Sequence, residues 1–391
     1  MKIAQRIKNI PPYLFAEIDK KKEAAIEKGV DIINLGIGDP DQPTPSHIIG
    51  QLAKSAQDPK THNYPPYEGT KEFRVAVADW YLKRFGVQLN PQKEVLSLIG
   101  SKEGIAHVFL AFIDPGDISL IPDPAYPVYK TGTLFANGEP YYMPLLEENG
   151  YLPDLDKIGE ETAKRAKLIF LNYPNNPTGA IANKNYFKKV VNFAKKNRLL
   201  ICHDFAYSEL AYDGYKAPSL LEVDGARDVC LEFHSLSKTY NMTGWRIGFA
   251  VGSQEAISAL SIIKTNVDSG IFKAIQEAGI TALTGPQDHI PRLIEMYTER
   301  RDAVINGLNQ LGWHIDPPKA TFYVWVPTPG DMSSIEFSNL VLEKTGIIVT
   351  PGVGYGQYGE GYVRIALTVD VPRIKEAMNR LKKADIFYQN S

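Results

Sequence analysis

The chain's 391 residues, 44% hydrophobic and 10% aromatic, are enough to bury a large core and predict two domains rather than one. Lys and Arg number 43 against 45 Asp and Glu, a formal charge of -2 that offers no field for nucleic acid or an anionic membrane. The two cysteines, Cys202 and Cys230, form no CxxC pair, which excludes a disulfide framework and a cysteine-type zinc site; no metal is expected.

The N-terminus MKIAQRIKNIPPYLFAEIDKKKE alternates charged and apolar residues and lacks the apolar core of a secretory signal. No later apolar run reaches the ~18 residues of a membrane span, so a cytoplasmic protein is expected. Phe15 to Lys28 reads as an amphipathic helix ended by Gly29. DIINLGIGDPDQPTP follows, a short strand end breaking into a Gly- and Pro-rich loop. Gly36 to Pro45 is therefore a candidate domain boundary.

From Val95 to Pro286, apolar runs alternate with helical stretches, the pattern of a mainly parallel α/β sheet. The runs are VLSLIG, ISLIPD, KLIFLNYP, LLICHD, VCLEFHS and RIGFAVG, apolar throughout as for strands covered on both faces. Ser101, Asp123, Asn172, Asp204 and Ser235 stand at or just beyond their ends. Ligands of open α/β sheets sit at that rim, which makes it the candidate site. After about Asp288 come a long charged helix, a strand (TFYVWVP), another helix, then IIVTPG and YVRIALT, a smaller α+β pattern. The expected division is residues 45–287 as a large domain and residues 1–44 with 288–391 as a small one.

Lys238, in SLSKTYNMTGWR, follows one of these strands and precedes the cation Arg246. A lysine amine is nucleophilic only when deprotonated, which requires desolvation or nearby cations. One chemistry that uses such an amine is a Schiff base to pyridoxal phosphate, whose phosphate, ring nitrogen and ring face the protein must also hold. Ser235, Ser237 and Arg246 are donors suited to a phosphate, and Ser101 stands where it can cap a helix whose N-terminus attracts one. Asp204 is an anion for a ring nitrogen, Tyr207 and Asn176 are donors for a phenolate oxygen, and Tyr126 is a candidate to lie on the ring. Singly, each has an ordinary reading: a solvated lysine, an ion pair, a helix cap, loop packing, or a turn at NPTG. Their order at successive strand ends favours the shared one.

With LGIGDPD, YPPYEG, GSKEG, PDPAYPVY, NYPNNPTG, DFAYSEL, SLSKTYNMTGWRIG and YVRIAL in this order, the chain resembles the class I/II, fold-type-I pyridoxal-phosphate aminotransferases along nearly its whole length. The resemblance implies Lys238 as the Schiff-base lysine, Asp204 as partner of the pyridine nitrogen, and Tyr207 and Asn176 at the phenolate oxygen. It also implies Tyr126 on the ring, and Ser101, Lys102, Ser235, Ser237 and Arg246 around the phosphate. Tyr64 matches the tyrosine that reaches the phosphate of a neighbouring subunit, implying a homodimer with shared sites; Ser269 falls near the same seam. Arg364 would grip the substrate α-carboxylate with Gly38 offering its N–H beside it, and a lysine-driven proton shift would carry an amino group to a 2-oxo acid.

Within that group, PPYLFAEID, GSKEGI, NYPNNPTGA and SKTYNMTGWRIG resemble the LL-diaminopimelate aminotransferases of lysine biosynthesis, with 2-oxoglutarate as acceptor. The resemblance implies substrate-binding roles for Tyr13, Gly38, Lys102, Tyr126, Asn176 and Arg364. The chain departs from the family's better-known members in having Tyr67 where they have a glutamate, and Ser269 or nearby Asn266 where they have a seam asparagine. The alternatives are an aspartate, alanine or broad-specificity aminotransferase, a pyridoxal-phosphate C–S lyase, or a non-catalytic regulatory relative, which would need a DNA-binding head.

Overall fold

The computed structural model describes residues 1–8, 10, 20, 22–24, 26–27 and 29–388. Tyr13 and much of the helix expected between Phe15 and Lys28 lie outside the described residues; within that span, residues 22–24 and 26–27 are helical.

Ile33–Asn34 is a short strand (β1), and the chain then crosses helices Ser46–Ala56 and Lys71–Phe85 before the main sheet begins. The sheet takes Val95–Leu98 (β2), Ile118–Asp123 (β3), Glu139–Pro144 (β4), Ala166–Asn172 (β5), Leu200–Asp204 (β6), Cys230–Ser235 (β7) and Gly248–Gly252 (β8). Its order is β2-β8-β7-β6-β5-β3-β4. The pairings are parallel except at β8, which runs antiparallel to both β2 and β7. This reversal matters for the site: β8 presents its beginning, not its end, to the rim, and Arg246 precedes it there.

All the expected strand runs are strands, and almost every residue in them is buried, as strands sandwiched between helices must be. The unanticipated strand is β4. Its sequence EPYYMP holds two prolines and half-exposed tyrosines, which an edge position tolerates because one side has no ladder to feed. One core face of the sheet packs Ile169, Leu171, Ile201 and Val251 against Phe187 and Val190; the other packs Leu96, Phe170, Cys202 and Phe233 against Ile105, Phe109 and Tyr129.

Beneath β6 and β7 lies a buried polar knot. Glu232 accepts from His203 Nδ1 (2.6 Å), Ser219 Oγ (2.5 Å), the Leu220 N–H (2.7 Å) and the Tyr81 hydroxyl. His203 Nε2 faces the Tyr173 carbonyl at 3.0 Å. Burial raises the Glu232 pKa, but hydrogen bonding to His203 and its charge outweigh that and hold it below the ordinary value. The knot ties together the two strands whose ends carry Asp204 and Ser235.

After Pro286 the chain forms helix His289–Gln310, strand Tyr323–Pro327 (β9), helix Ser334–Thr345, then Ile347–Ile348 (β10), Thr350–Pro351 (β11) and Tyr362–Ala366 (β12), and closes with helix Val371–Lys383. The strands β11-β12-β9 make an antiparallel sheet. β10 pairs in parallel with β1, Ile33 opposite Ile347. Leu35, Val304, Leu308, Trp313, Val324 and Ile365 share one core around them. The loop after β1 thereby runs from the two-stranded β1-β10 sheet to the rim of the seven-stranded one, where the Gly38 carbonyl meets Lys238.

Candidate active site

Lys238 sits on the short helix Leu236–Thr239, whose start is capped by Ser235 Oγ accepting from the Ser237 N–H at 3.2 Å. Its Nζ donates to the Gly38 carbonyl at 3.2 Å and lies 5.5 Å from the centre of the Phe322 ring. Burial is the main cause that lowers its pKa from 10.5 to about 8; Arg364 and Arg246 add to the shift while Asp39 and Asp204 oppose it. Near neutrality such an amine has an accessible free-base form, which an exposed lysine lacks.

A cavity of about 390 Å³ opens before this amine. Gly38, Ser101, Lys102, Tyr126, Asn176, Asp204, Tyr207, Ser235, Ser237, Lys238, Arg246 and Arg364, all singled out from sequence, line it together. Asp204 is buried at the end of β6. Its Oδ2 accepts from the Tyr129 hydroxyl at 2.8 Å, whereas Oδ1 is buried with no hydrogen-bond partner among the described residues. A buried carboxylate oxygen left unpaired is unfavourable unless something supplies a donor. A pyridinium N–H is a donor of the right charge, so these residues fit pyridoxal phosphate.

At the rim's other side the helix Ser101–Phe112 points its N-terminus at the cavity. The cap position is Gly100, not Ser101: Gly100 takes φ 74, and Ser101 stands one residue inside with its hydroxyl not used as a cap. A side chain at Gly100 would also strike the Arg246 guanidinium, so only glycine lets that cation lie against the turn. Arg246 Nη1 donates to the Thr243 carbonyl at 2.8 Å, which orients the fork. Burial lowers the Lys102 pKa, and the charge of Arg246 lowers it further. Two cations, three serine hydroxyls and a helix N-terminus are donors a phosphate dianion satisfies.

Arg364, on β12, is buried at 2% exposure. Its Nη1 donates to Asn176 Oδ1 (2.9 Å) and its Nη2 to the Gly36 carbonyl (2.6 Å). The guanidinium stacks 4.0 Å from the centre of the Tyr323 ring. Tyr323 in turn holds the Tyr207 hydroxyl at 3.2 Å, and a methyl group on Gly38 would run into the Tyr323 hydroxyl. Gly38 is glycine, then, because Tyr323 crosses it, a reason the sequence does not contain.

Some expected residues are not brought to this cavity. Tyr64 is 82% exposed and outside it, and Ser269 and Asn266 are exposed as well. Asp123 stays at the end of β3 but serves the backbone: it accepts from the Gln357 and Tyr358 N–H groups at 3.1 and 3.0 Å. Conversely Asp39, Thr243 and Tyr323 line the cavity and were not singled out from sequence. Asp39 stood in the quoted GIGDPD loop; Tyr323 looked like any aromatic of an apolar strand.

An α/β fold with a desolvated lysine, an unpaired carboxylate oxygen and a phosphate cradle at one rim defines the pyridoxal-phosphate class of enzyme. Residues 30–381 match the family described as Aminotransferase class I and II, and the chain belongs to it. It is a pyridoxal-phosphate-dependent aminotransferase. Curated relatives 53–58% identical over nearly their whole length carry the name LL-diaminopimelate aminotransferase; the one from Moorella thermoacetica is 58% identical over 98% of each chain. Among solved structures, substrate-bound BacF from Bacillus subtilis is similar at a TM-score of 0.96 and 39% identity, over 100% of both chains. A Thermus thermophilus aspartate aminotransferase mutant is similar at 0.92 and 27%, over 98% of this chain and 100% of that one.

Proposed function

We propose that this aminotransferase takes LL-2,6-diaminopimelate as amino donor and a 2-oxo acid such as 2-oxoglutarate as acceptor, a step of lysine biosynthesis. The observation that carries this reading is the full-length identity of 53–58% to several enzymes of that name, combined with a cavity that offers cations at two places, Arg364 and Lys102. Diaminopimelate carries two carboxylates, and so does 2-oxoglutarate.

Bound pyridoxal phosphate supplies an electron-poor ring that draws off the electron pair left when the substrate Cα loses its proton. Everything else falls to the chain. Arg364, held flat between Asn176 and Gly36, is assigned the α-carboxylate, and the Gly38 N–H lies beside it. Asp204 is assigned the ring nitrogen, keeping it protonated. Tyr207 and Asn176 are assigned the phenolate oxygen, and Tyr126 the ring face. Ser101, Lys102, Ser235, Ser237 and Arg246 are assigned the phosphate. The Lys238 amine, lowered to about 8, is the base assigned to take the proton from the substrate Cα and would hold it for return once the cofactor is bound. With the cofactor bound, the amino group would stay on it while water released the donor as its keto acid, and a 2-oxo acid would take that amino group in the second half-reaction.

We also infer a homodimer with shared sites. Tyr64, Tyr67, Ile262, Val267 and Phe272 are large, exposed apolar residues. Gly270 packs on Pro65 and Tyr67, and His62 lies 6.4 Å from the Phe272 ring, which brings the segments 62–67 and 270–272 together. Tyr64 projecting outward suits a role at the partner's phosphate. A division into residues 45–287 and residues 1–44 with 288–391 is supported by the seven-stranded sheet lying wholly in the first range and the two small sheets in the second, although Tyr207, Leu210 and Tyr212 also join the core of the small sheets. Two free, buried cysteines and the lack of a membrane-crossing helix among the described residues support a cytoplasmic setting.

The deciding experiment is a donor panel with 2-oxoglutarate as acceptor: LL-diaminopimelate, its meso isomer, aspartate and alanine. The LL isomer should give the highest kcat/KM. A preference for aspartate or alanine overturns the substrate assignment but leaves the aminotransferase untouched.

A further inference from the structure

An aromatic wall stands behind the site. Tyr129 lies on the helix Val128–Phe135, fully buried. Its ring stacks on Phe170 (4.9 Å, 24°), which stacks on Phe109 (4.8 Å, 14°), so its position is set by packing. From there its hydroxyl reaches Asp204 Oδ2 at 2.8 Å.

We propose that Tyr129 is a positioning residue for the reaction: by donating to one oxygen of Asp204 it holds that carboxylate ionised and turns the other oxygen, Oδ1, toward the cofactor's ring nitrogen. The inference rests on the assignment of Asp204 to that nitrogen. Asp204 is in a dry place, and burial raises its pKa. A neutral Asp204 would no longer stabilise a positive ring nitrogen, and the ring would lose its pull on electrons. Opposing that drift are the Tyr129 hydrogen bond first, then the His203 charge, the Ala206 N–H and the Lys238 charge. Tyr207, the other hydroxyl nearby, is turned to Tyr323. Burial and the Asp204 charge push the Tyr129 pKa far up, so its proton stays and it is always the donor. Tyr126 meets Tyr129 edge-on at 6.2 Å and brings no formal charge. Among the described residues, then, Tyr129 is the side-chain donor of a hydrogen bond to this carboxylate.

The test compares Tyr129→Phe and Asp204→Asn in the purified enzyme stripped of cofactor and titrated with pyridoxal phosphate. Phenylalanine keeps the ring, its volume and the stacking on Phe170, so the fold is preserved, and near-ultraviolet circular dichroism checks this. With a hydrogen bond to a charged group removed, Tyr129→Phe should bind the cofactor about ten- to a hundredfold more weakly. kcat should fall by a similar factor with KM changed less. The absorbance of the bound cofactor should titrate at higher pH than in wild type, because an uncharged ring repels the neighbouring proton less. A merely structural role would not move that titration. If Tyr129→Phe leaves affinity and titration within about twofold while Asp204→Asn shifts both, the role of Tyr129 is overturned and that of Asp204 stands. If Asp204→Asn also changes neither, the assignment of Asp204 fails and the inference with it.

Discussion

Burial of Lys238 has a consequence that can be read in the cofactor-free protein. In the unfolded chain its amine keeps its proton up to the ordinary 10.5, whereas in the folded chain it releases it near 8. Between those values the unfolded chain binds more protons, so the contribution to stability improves as pH rises through that window. Below about 8 the buried charge is a burden of about 3 kcal/mol at most. Lys238→Met should therefore raise the melting temperature of the cofactor-free protein at pH 7, and the advantage should vanish near pH 10.5; a pH-independent difference would refute the shift. Capture of pyridoxal phosphate by the wild-type protein should accelerate through pH 8 and level off above it. Arg364 is the second residue with a sharp expectation. Arg364→Ala should lower kcat/KM by about a hundredfold or more for every α-amino acid, mainly through KM, since two charge-assisted bonds to the carboxylate disappear. An unchanged KM would remove Arg364 from that contact.

At the scale of elements, β6 and β7 hold Asp204 and Lys238 in register, and the knot around Glu232 is what pins them. Glu232→Gln removes a buried charge that faces His203, leaving the imidazole and the donors of Ser219 and Tyr81 ill matched. Breaking one partner of a buried pair costs about 3–5 kcal/mol, so the urea midpoint should drop sharply at pH 7. Because the folded pKa of Glu232 is depressed, its stabilising share is present above the ordinary carboxylate range and is lost as pH falls through the folded value. The gap between wild type and Glu232→Gln should then narrow in acid. Much at this scale was legible beforehand: VLSLIG, LLICHD and VCLEFHS read as buried strands because continuous apolar runs have few other uses. EPYYMP did not, because an edge strand half open to water loses the apolar signature. The antiparallel course of RIGFAVG was also invisible, since direction in a sheet is a property of neighbours.

At the scale of the molecule, the proposed homodimer would bury the exposed apolar residues Tyr64, Tyr67, Ile262, Val267 and Phe272. The segment 262–272 is anchored from inside. Lys264, with no side-chain exposure, bonds to Asp268 at 3.0 Å and Glu103 Oε2 at 3.2 Å, and Asp268 also accepts the Gly270 N–H at 2.7 Å. Glu103 lies on the helix whose N-terminus opens onto the cavity. The proposed seam and the cavity are thus joined by one set of ion pairs. Replacing Ile262 and Val267 by glutamate should shift the sedimentation coefficient toward a monomer and weaken cofactor retention together. A monomeric variant that keeps full affinity for the cofactor would show that the sites are not shared.

That Lys238, Asp204, Arg246, Asn176 and the serines would meet at one rim was readable from the chain alone. Local sequence decides that a strand ends in a polar residue, and the fold class decides that such ends converge. The contacts of Tyr323 and Tyr129 were not readable, nor was the reason Gly38 must lack a side chain. Each depends on a contact between segments far apart in the chain: Tyr323 with Arg364 and Gly38, Tyr129 with Asp204. An aromatic residue in an apolar run carries the same local signal whether it fills a core or aims a hydroxyl at a carboxylate. Only the tertiary structure distinguishes the two, because the aim is set by packing from both sides.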